Sequence, residues 1–322
     1  MFKQVVTSDP GQAALNEMIL PDLPYEIILD ILERFWSKKD LGTMRLLSKS
    51  FAALARPALF GSCSFHITCS KDKNYSPEQI RVWQSRSERH MHRLEFLSSP
   101  DIAQLIHTIR VYPEPRMHTG TRINWLIESD ADAWLNQFLE RLPLFANLKT
   151  LQCEDIAFDE FAIQQLFNVK QLIKLDIRDC PITGHIGPGE NNIEVRNMYF
   201  SSTSQDPQRA ESYARWLYIV KARSIQNLSL SFANSDIAYE FLSRLRSMPS
   251  IPLTHLIMPH DPRKSIPVLS GSQSYATIVL TMQLAYINGD TLNAITSGFP
   301  LVENLTLLIG SAEVYGIKVC RI

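Results

Sequence analysis

Few residue patterns in this chain could carry out chemistry. His90 and His92 form a His-x-His pair within Arg89–Arg93, but two ligands do not complete a zinc site, and residues two apart on a helix point to different sides. The glycines of Gly184–Gly189 lack the order of a dinucleotide- or phosphate-binding loop, and Pro188 removes an N–H that could face a phosphate. The sequence has no G-x-S-x-G, H-E-x-x-H or EF-hand motif. We therefore expect a protein that is not an enzyme and holds no metal or cofactor.

The cysteines indicate the redox compartment of the protein, and the net charge indicates which kinds of partner are disfavoured. None of the five cysteines forms a C-x-x-C pair. Cys63, Cys153 and Cys320 alternate with other residues in apolar stretches, which is typical of buried free thiols in a reducing compartment. The 32 Lys and Arg residues against 33 Asp and Glu residues give a net charge of -1, so no global field favours nucleic acid or a membrane surface.

The sequence also bears on localisation and domain number. Residues 1–12 have no apolar core of the kind found in signal peptides, and the longest apolar stretch, residues 275–287, is too short to span a bilayer. We expect a cytoplasmic or nuclear protein that binds neither membrane nor nucleic acid. At about 150 residues per domain, the 322 residues predict about two folding units.

Three short helices are predicted between residues 20 and 60. Pro24 suits the first position of a helix, and apolar residues then recur at helical spacing at Ile27, Ile28, Ile31, Leu32 and Phe35. Asp40 is the expected N-cap of the second helix, and the third is expected to end near Arg56, because Pro57 disfavours helix in the residue before it. A bundle of about 40 residues has a marginal core of its own, so this segment is expected to dock on another surface.

The same segment resembles the F-box. The likeness rests on Leu23-Pro24-x-Glu26-Ile27-Ile28-x-x-Ile31-Leu32, then Lys39-Asp40-Leu41, then Arg45-Leu46-Leu47-Ser48-Lys49-x-Phe51. The exit, Leu54-Ala55-Arg56-Pro57-Ala58-Leu59-Phe60, is similar to the ending of fungal F-box proteins. Phe51 stands where many members carry Trp.

This resemblance implies a partner and a role. In the family, the three helices pack on the small adaptor subunit of SCF-type ubiquitin ligases, and through it reach the cullin, while leucine-rich C-terminal regions present protein substrates. The residues expected to contact the adaptor are Leu23, Pro24, Ile27, Ile28, Ile31, Leu41, Leu47 and Phe51.

The rest of the chain alternates predicted strands and helices. Cys63, Phe65 and Ile67 alternate with polar residues and indicate a first strand, followed by a helix over residues 76–97. An apolar-x-x-apolar-x-apolar signature then recurs at Ile106/Ile109/Val111, Leu148/Leu151/Cys153, Leu172/Leu175/Ile177, Val195/Met198/Phe200, Ile225/Leu228/Leu230, Leu253/Leu256/Met258, Tyr275/Ile278/Leu280 and Val302/Leu305/Leu307. The helices expected between strands are residues 131–142, 159–167, 207–222, 235–248 and 290–297.

The spacing of these signatures predicts the architecture. Their central residues are mostly 22 to 30 positions apart, with one gap of 42 after Ile109, which overlaps the leucine-rich-repeat range of about 20–29 residues. The Asn or Cys of that repeat is mostly lacking, with Cys180 and Asn234 near its position. We predict an α/β fold: a flexible tail (1–19), a three-helix F-box (20–60), a connecting strand and helix (61–99), and an irregular leucine-rich-repeat-like solenoid (100–322) with a parallel sheet.

The position between the second and third apolar residues of each signature is expected to face away from the core, because strand side chains alternate. This rule selects Gln152, Asp176 and Ser229 as exposed residues that bind the substrate, with neighbours at Thr150, Lys174, Arg178, Ser231 and Thr306.

Two functions follow from these expectations. The first is a substrate-recognition adaptor of an SCF-type ubiquitin ligase, in which the repeats bind a protein substrate. The second is a leucine-rich-repeat scaffold or binding protein whose F-box serves a complex other than a ligase.

Overall fold

The computed structural model describes residues 28, 30–32, 37–46, 49–67, 76–113, 129–184, 193–247, 252–258, 279–284, 289–298, 302–309 and 313–317. The chain divides into two compact units, Met1–Phe60 and Gly61–Ile322. The predicted tail, residues 1–19, lies outside the described residues.

Most of the described residues of the N-terminal unit are helical. Residues 28 and 30–32 are helical, and two helices follow, α1 (Lys38–Met44) and α2 (Lys49–Phe60). The N-cap of α1 is Ser37, not Asp40: the Asp40 N–H donates to the Ser37 hydroxyl at 3.2 Å, and the Ser37 N–H donates to the Asp40 carboxylate at 3.3 Å. This capping box uses Asp40 at its third helical position.

The predicted end of α2 near Arg56 is wrong, since the helix continues through Pro57 to Phe60. Proline keeps a helical φ and removes one N–H, so it lowers the stability of a helix but does not prevent it from forming. The core of the unit consists of Leu32, Leu41, Met44 and Ala55, with partly buried apolar residues around it.

Among the described residues of the second unit, ten strands form one sheet. They are β1 (Ser62–Ile67), β2 (Thr108–Pro113), β3 (Thr150–Glu154), β4 (Lys174–Arg178), β5 (Asn197–Ser202), β6 (Asn227–Phe232), β7 (His255–Met258), β8 (Val279–Leu284), β9 (Asn304–Ile309) and β10 (Glu313–Ile317). Their order in the sheet is their order in the sequence. Neighbours from β1 to β9 pair in parallel, and β10 pairs antiparallel with β9. The fold is therefore mixed α/β with a nine-stranded parallel sheet.

The signature residues explain the register of the sheet. Their central positions pair strand by strand, in the order Cys63, Ile109, Leu151, Leu175, Met198, Leu228, Leu256, Leu280 and Leu305. The strand predicted at Tyr275/Ile278/Leu280 was placed wrongly, because Leu280 and not Ile278 is its central residue. β1, predicted as part of a connection, pairs directly with β2 and belongs to the same sheet.

Helices connect most of the strands. They are α3 (Pro77–Leu97), α4 (Pro100–Ala103), α5 (Ser129–Arg141), α6 (Glu160–Phe167), α7 (Ala210–Ala214), α8 (Trp216–Ile219), α9 (Ser235–Ser247) and α10 (Gly289–Gly298). The helices predicted over 76–97, 131–142, 159–167, 235–248 and 290–297 are confirmed to within a few residues at each end. The helix predicted over 207–222 is instead broken into short α and 3-10 segments, which include α7 and α8.

Aromatic side chains fill much of the space between the sheet and the helices. The ring centroids of Phe65 and Phe138 are 5.3 Å apart, so α5 packs on β1. Trp216 is fully buried, and its indole N–H donates to the Cys180 carbonyl at 2.7 Å. This bond ties the broken helical segment to the loop after β4.

The turns after β3 and β4 are equivalent. Asp155 and Asp179 follow these strands directly and have positive φ angles of 53° and 50°, a conformation that Asp and Asn tolerate better than most residues. Cys180, next to Asp179, accepts a hydrogen bond on its sulfur from the Ile156 N–H at 3.4 Å. The two turns are thus linked across the sheet.

Candidate functional site

One face of the sheet carries the polar side chains that the strands place away from the core. Its central row consists of the residues that pair in register between the two buried positions of each strand: Ser64, Arg110, Gln152, Asp176, Tyr199, Ser229, Ile257, Thr281 and Thr306. We call this face the open face. Because parallel neighbours are about 4.8 Å apart, side chains on adjacent strands of this row can contact each other.

Gln152, Asp176 and Arg178 form a hydrogen-bonded group on the open face. The Asp176 carboxylate accepts from Arg178 Nε at 3.0 Å, from Arg178 Nη2 at 3.1 Å and from Gln152 Nε2 at 3.1 Å. The hydrogen bond to Asp176 raises the pKa of the Arg178 guanidinium, and the charge of Glu154 acts in the same direction. The carboxylate therefore fixes the orientation of both neighbouring side chains.

The prediction that Asp176 is exposed is wrong, because the residue is only 4% exposed. Its side chain is covered on the face where the alternation rule placed it, while that of Arg178 is 54% exposed. Gln152 is half-buried and contacts Asp176 directly. The accessible charge of this group is thus the Arg178 cation.

Ser229 lies apart from that group. It pairs in register with Tyr199, which pairs with Asp176, so one strand separates Ser229 from the carboxylate. Ser229 is half-buried, and its hydroxyl has no hydrogen-bond partner among the described residues. The structure therefore brings together two of the three predicted substrate-binding residues.

Further residues of the open face were missed. Tyr199 occupies the same signature position as Gln152, and Lys174 Nζ lies 4.2 Å from the centre of its ring. Arg110 also occupies this position, in the strand before Gln152. Applying the alternation rule to every signature would have found both Tyr199 and Arg110. On β1 and β2, the Tyr112 hydroxyl and His66 Nε2 are 3.1 Å apart.

The thiols of Cys153, in β3, and of Cys180, in the turn after β4, are both buried. Burial, with a smaller contribution from the Asp176 charge, raises the pKa of the Cys153 thiol, and burial raises that of Cys180. Neither thiol is suited to act as a nucleophile, because the thiolate is the reactive form. Among the described residues, no three His, Cys, Asp or Glu side chains are placed to hold a metal ion. His90 is half-buried on α3, whereas His92 is exposed and pairs with Glu95 at 3.4 Å.

The N-terminal unit holds the second candidate site. Leu41 belongs to its core, whereas Ile28 and Phe51 are partly buried and pack against that core. Ile31 is 38% exposed and therefore available to a partner. Four other residues predicted to contact an adaptor, Leu23, Pro24, Ile27 and Leu47, lie outside the described residues.

Comparisons with known proteins give no family: no protein-family model and no curated protein matches the chain. Of the helices that the structure describes, none has the length and apolar character needed to cross a membrane.

Proposed function

We propose that this chain is a non-enzymatic substrate receptor of an SCF-type ubiquitin ligase. In this proposal residues 20–60 are an F-box that docks on the adaptor subunit and, through it, on the cullin. The second unit is a leucine-rich-repeat-like region that binds a protein substrate. Such a receptor acts in the cytoplasm or the nucleus.

The observation that carries the proposal is the position of the boundary between the two units. The first unit ends at Phe60, the residue at which the F-box-like segment also ends. Within this unit only Leu32, Leu41, Met44 and Ala55 are fully buried among the described residues. A core of that size stabilises a fold weakly, and the apolar surface of Ile31 is left for a partner.

The repeat assignment is supported by two consecutive turns of the second unit. Leucine-rich repeats follow the order L-x-x-L-x-L-x-x-N/C-x-L. The buried residues at these positions are Leu148, Leu151, Cys153, Ile156 and Phe158 in one segment, and Leu172, Leu175, Ile177, Cys180 and Ile182 in the next. The first segment departs from the order at Ile156, which stands in place of the Asn or Cys. Cys180 occupies the Asn/Cys position and accepts a hydrogen bond from the backbone of the preceding segment.

The open face supports a binding role for the second unit. Gln152 and Arg178 are held by a buried carboxylate, so a partner that contacts them does not have to order them first. Preorganised side chains bind with a smaller loss of conformational entropy than mobile ones. A protein substrate is the partner that fits this surface, since the side chains span several strands.

The proposal is tested by measuring binding between the full chain and a purified SCF adaptor subunit by isothermal titration calorimetry. We expect direct binding, and we expect Ile31→Ala to weaken it by about tenfold or more, because buried apolar anchors dominate interfaces and tenfold corresponds to about 1.4 kcal/mol. Val82→Ala is the matched control, since Val82 is an exposed aliphatic residue of the other unit. It should leave the affinity within about twofold.

A second variant tests the segment whose structure is not described. Changing Leu23 and Pro24 together to Ala should weaken adaptor binding by more than about 1 kcal/mol. Circular dichroism on each variant checks that the fold is retained. If the unmodified chain does not bind the adaptor, the ligase assignment is wrong and a scaffold whose F-box serves another complex becomes the better proposal.

A further inference from the structure

A row of exposed side chains lies where four neighbouring strands begin. Lys149, Ile173, Arg196 and Gln226 directly precede β3, β4, β5 and β6. Backbone hydrogen bonds tie them together: the Ile173 N–H donates to the Lys149 carbonyl at 2.8 Å, the Arg196 N–H to the Ile173 carbonyl at 2.9 Å, and the Gln226 N–H to the Arg196 carbonyl at 2.9 Å. We call these four residues the amino-terminal row.

The two cations of the row are not neutralised within the part of the chain that the structure describes. Lys149 and Arg196 are exposed, and their side chains make no hydrogen bond or ion pair with described residues. Nearby cations differ in this respect, because Lys221 pairs with Glu194 and Lys174 lies over the Tyr199 ring. Lys149 and Arg196 are therefore available to a partner that carries negative charge.

An apolar side chain lies between these two cations. Ile173 is 37% exposed and occupies the strand between those of Lys149 and Arg196. With strands about 4.8 Å apart, the backbones of Lys149 and Arg196 are separated by about 10 Å. In an extended chain the side chains that point to one side recur at every second residue, so positions i, i+2 and i+4 span about 13 Å. The long side chains of Lys149 and Arg196 reach across this small difference. The row thus presents a cation, an apolar group and a second cation at the spacing of a short extended peptide.

Acidic residues predominate at the opposite ends of these strands. Glu154 is the last residue of β3, and the acidic residues after β3, β4, β5 and β6 are Asp155, Asp159, Asp179, Asp206 and Asp236, with Arg178 as the cation at the end of β4. A strand of five residues separates the two edges by about 17 Å, which exceeds the Debye length of about 8 Å at physiological salt. A short acidic segment at the amino-terminal row is therefore screened from these acids, whereas a long polyanion extending along the strands meets them.

We propose that the amino-terminal row binds an extended acidic segment of a partner protein, in which an apolar side chain lies midway between two carboxylates about four residues apart, so that all three side chains point to the row. This inference rests on the proposed function, since the partner is the substrate of the receptor. Two carboxylates pair with Lys149 and Arg196, and the apolar side chain packs on Ile173. Nucleic acid fits less well, because proteins that bind it strongly contact about 6–10 phosphates.

The test uses the full chain and a fluorescein-labelled peptide with the central order Glu-Ser-Leu-Ser-Glu between Gly-Ser flanks, measured by fluorescence anisotropy at low salt. We expect saturable binding. The double variant K149E/R196E should lose about tenfold or more in affinity, and I173S should lose several-fold. The matched control is R81E/R89E, which makes the same change of charge at exposed arginines of α3. It should stay within about twofold of the unmodified chain.

Matched probes separate the possible occupants. Replacing both glutamates of the peptide by glutamine, or its leucine by serine, should weaken binding to the unmodified chain but have little further effect on K149E/R196E. The proposal is overturned if the peptide does not bind, if the control variant loses as much affinity as the row variant, or if a single-stranded oligonucleotide of equal charge binds the row more tightly. Sedimentation showing self-association that K149E/R196E abolishes would also overturn it, since a second copy would then occupy the row.

Adaptor binding is measured on the same proteins. Peptide binding without adaptor binding keeps the row assignment and refutes the ligase assignment. Adaptor binding without peptide binding refutes the row alone.

Discussion

Replacing Asp176 by Asn tests whether the buried carboxylate organises the open face. The substitution keeps the shape of the side chain but removes its charge and turns one acceptor oxygen into an NH₂ donor. Asp176 now accepts three hydrogen bonds, two from Arg178 and one from Gln152. At least one of these must be lost, because the new amide N–H groups meet other donors.

The expected loss of stability depends on how far Asp176 and Arg178 are each buried. Hydrogen bonds to a charged group contribute about 1.5–3 kcal/mol each when they are protected from water. The Arg178 side chain is 54% exposed, so water can replace much of the hydrogen bonding that its guanidinium loses. Exposed ion pairs contribute only about 0–1 kcal/mol to stability. We therefore expect D176N to lower the free energy of unfolding by about 1–3 kcal/mol.

Urea denaturation followed by circular dichroism measures this change. The control is E211Q, which removes an exposed carboxylate paired with Arg215 at 3.2 Å and should cost less than about 0.5 kcal/mol. A double-mutant cycle with R178Q isolates the pair and should give a coupling energy of about 1 kcal/mol or more. If D176N costs no more than E211Q, or the coupling is near zero, Asp176 does not organise its neighbours as described.

Three further predictions concern single positions. G42A should stabilise the N-terminal unit by up to about 1 kcal/mol, because a Cβ at Gly42 of α1 meets no atom within 4 Å. Calorimetry measures this change, and a lower melting temperature would contradict the prediction. Burial raises the pKa of Cys153 and Cys180, so both thiols should resist iodoacetamide at pH 8 in the native protein and react after unfolding. Mass spectrometry follows the labelling, and fast labelling of either thiol in the native protein would refute its burial. W216F should lower the free energy of unfolding by about 1–3 kcal/mol, because it removes the donor to the Cys180 carbonyl; an unchanged urea midpoint would show that this hydrogen bond contributes little.

The strands were predictable because a buried strand repeats its apolar residues at fixed spacing. Leu151 and Cys153, or Leu175 and Ile177, alternate with polar residues, and this alternation identifies both the strand and its inner face. The pattern cannot choose between overlapping matches. Near β8 an apolar triplet at Tyr275/Ile278/Leu280 fits the signature better than the true register does, because the true register has Thr277 at its first position. Only the pairing with Leu256 selects Leu280 as the central residue.

Local rules failed where distant or competing contacts decide the outcome. The alternation rule placed Asp176 on the open face but could not show that Arg178 and Gln152 cover it. The proline rule ended α2 at Arg56, although the helix continues beyond Pro57. The antiparallel strand β10 begins at Glu313, only four residues after β9 ends at Ile309. This is far shorter than the 22 to 30 residues between the predicted strands, so the repeat pattern did not predict it.

The alternation of the strands places the residues that stabilise the second unit and those proposed to contact a partner on opposite faces of the sheet. Core residues such as Leu175 and Ile177 point one way, and open-face residues point the other, so a change on the open face usually leaves the packing intact. Tyr199 can therefore vary at little cost in stability. Asp176 and Gln152 are the exceptions, because the buried carboxylate accepts a hydrogen bond from Gln152 and joins the orientation of Arg178 to the stability of the sheet. If the open face binds a partner as proposed, a variant that alters binding without lowering stability is expected at Tyr199, and one that alters both at Asp176 or Gln152.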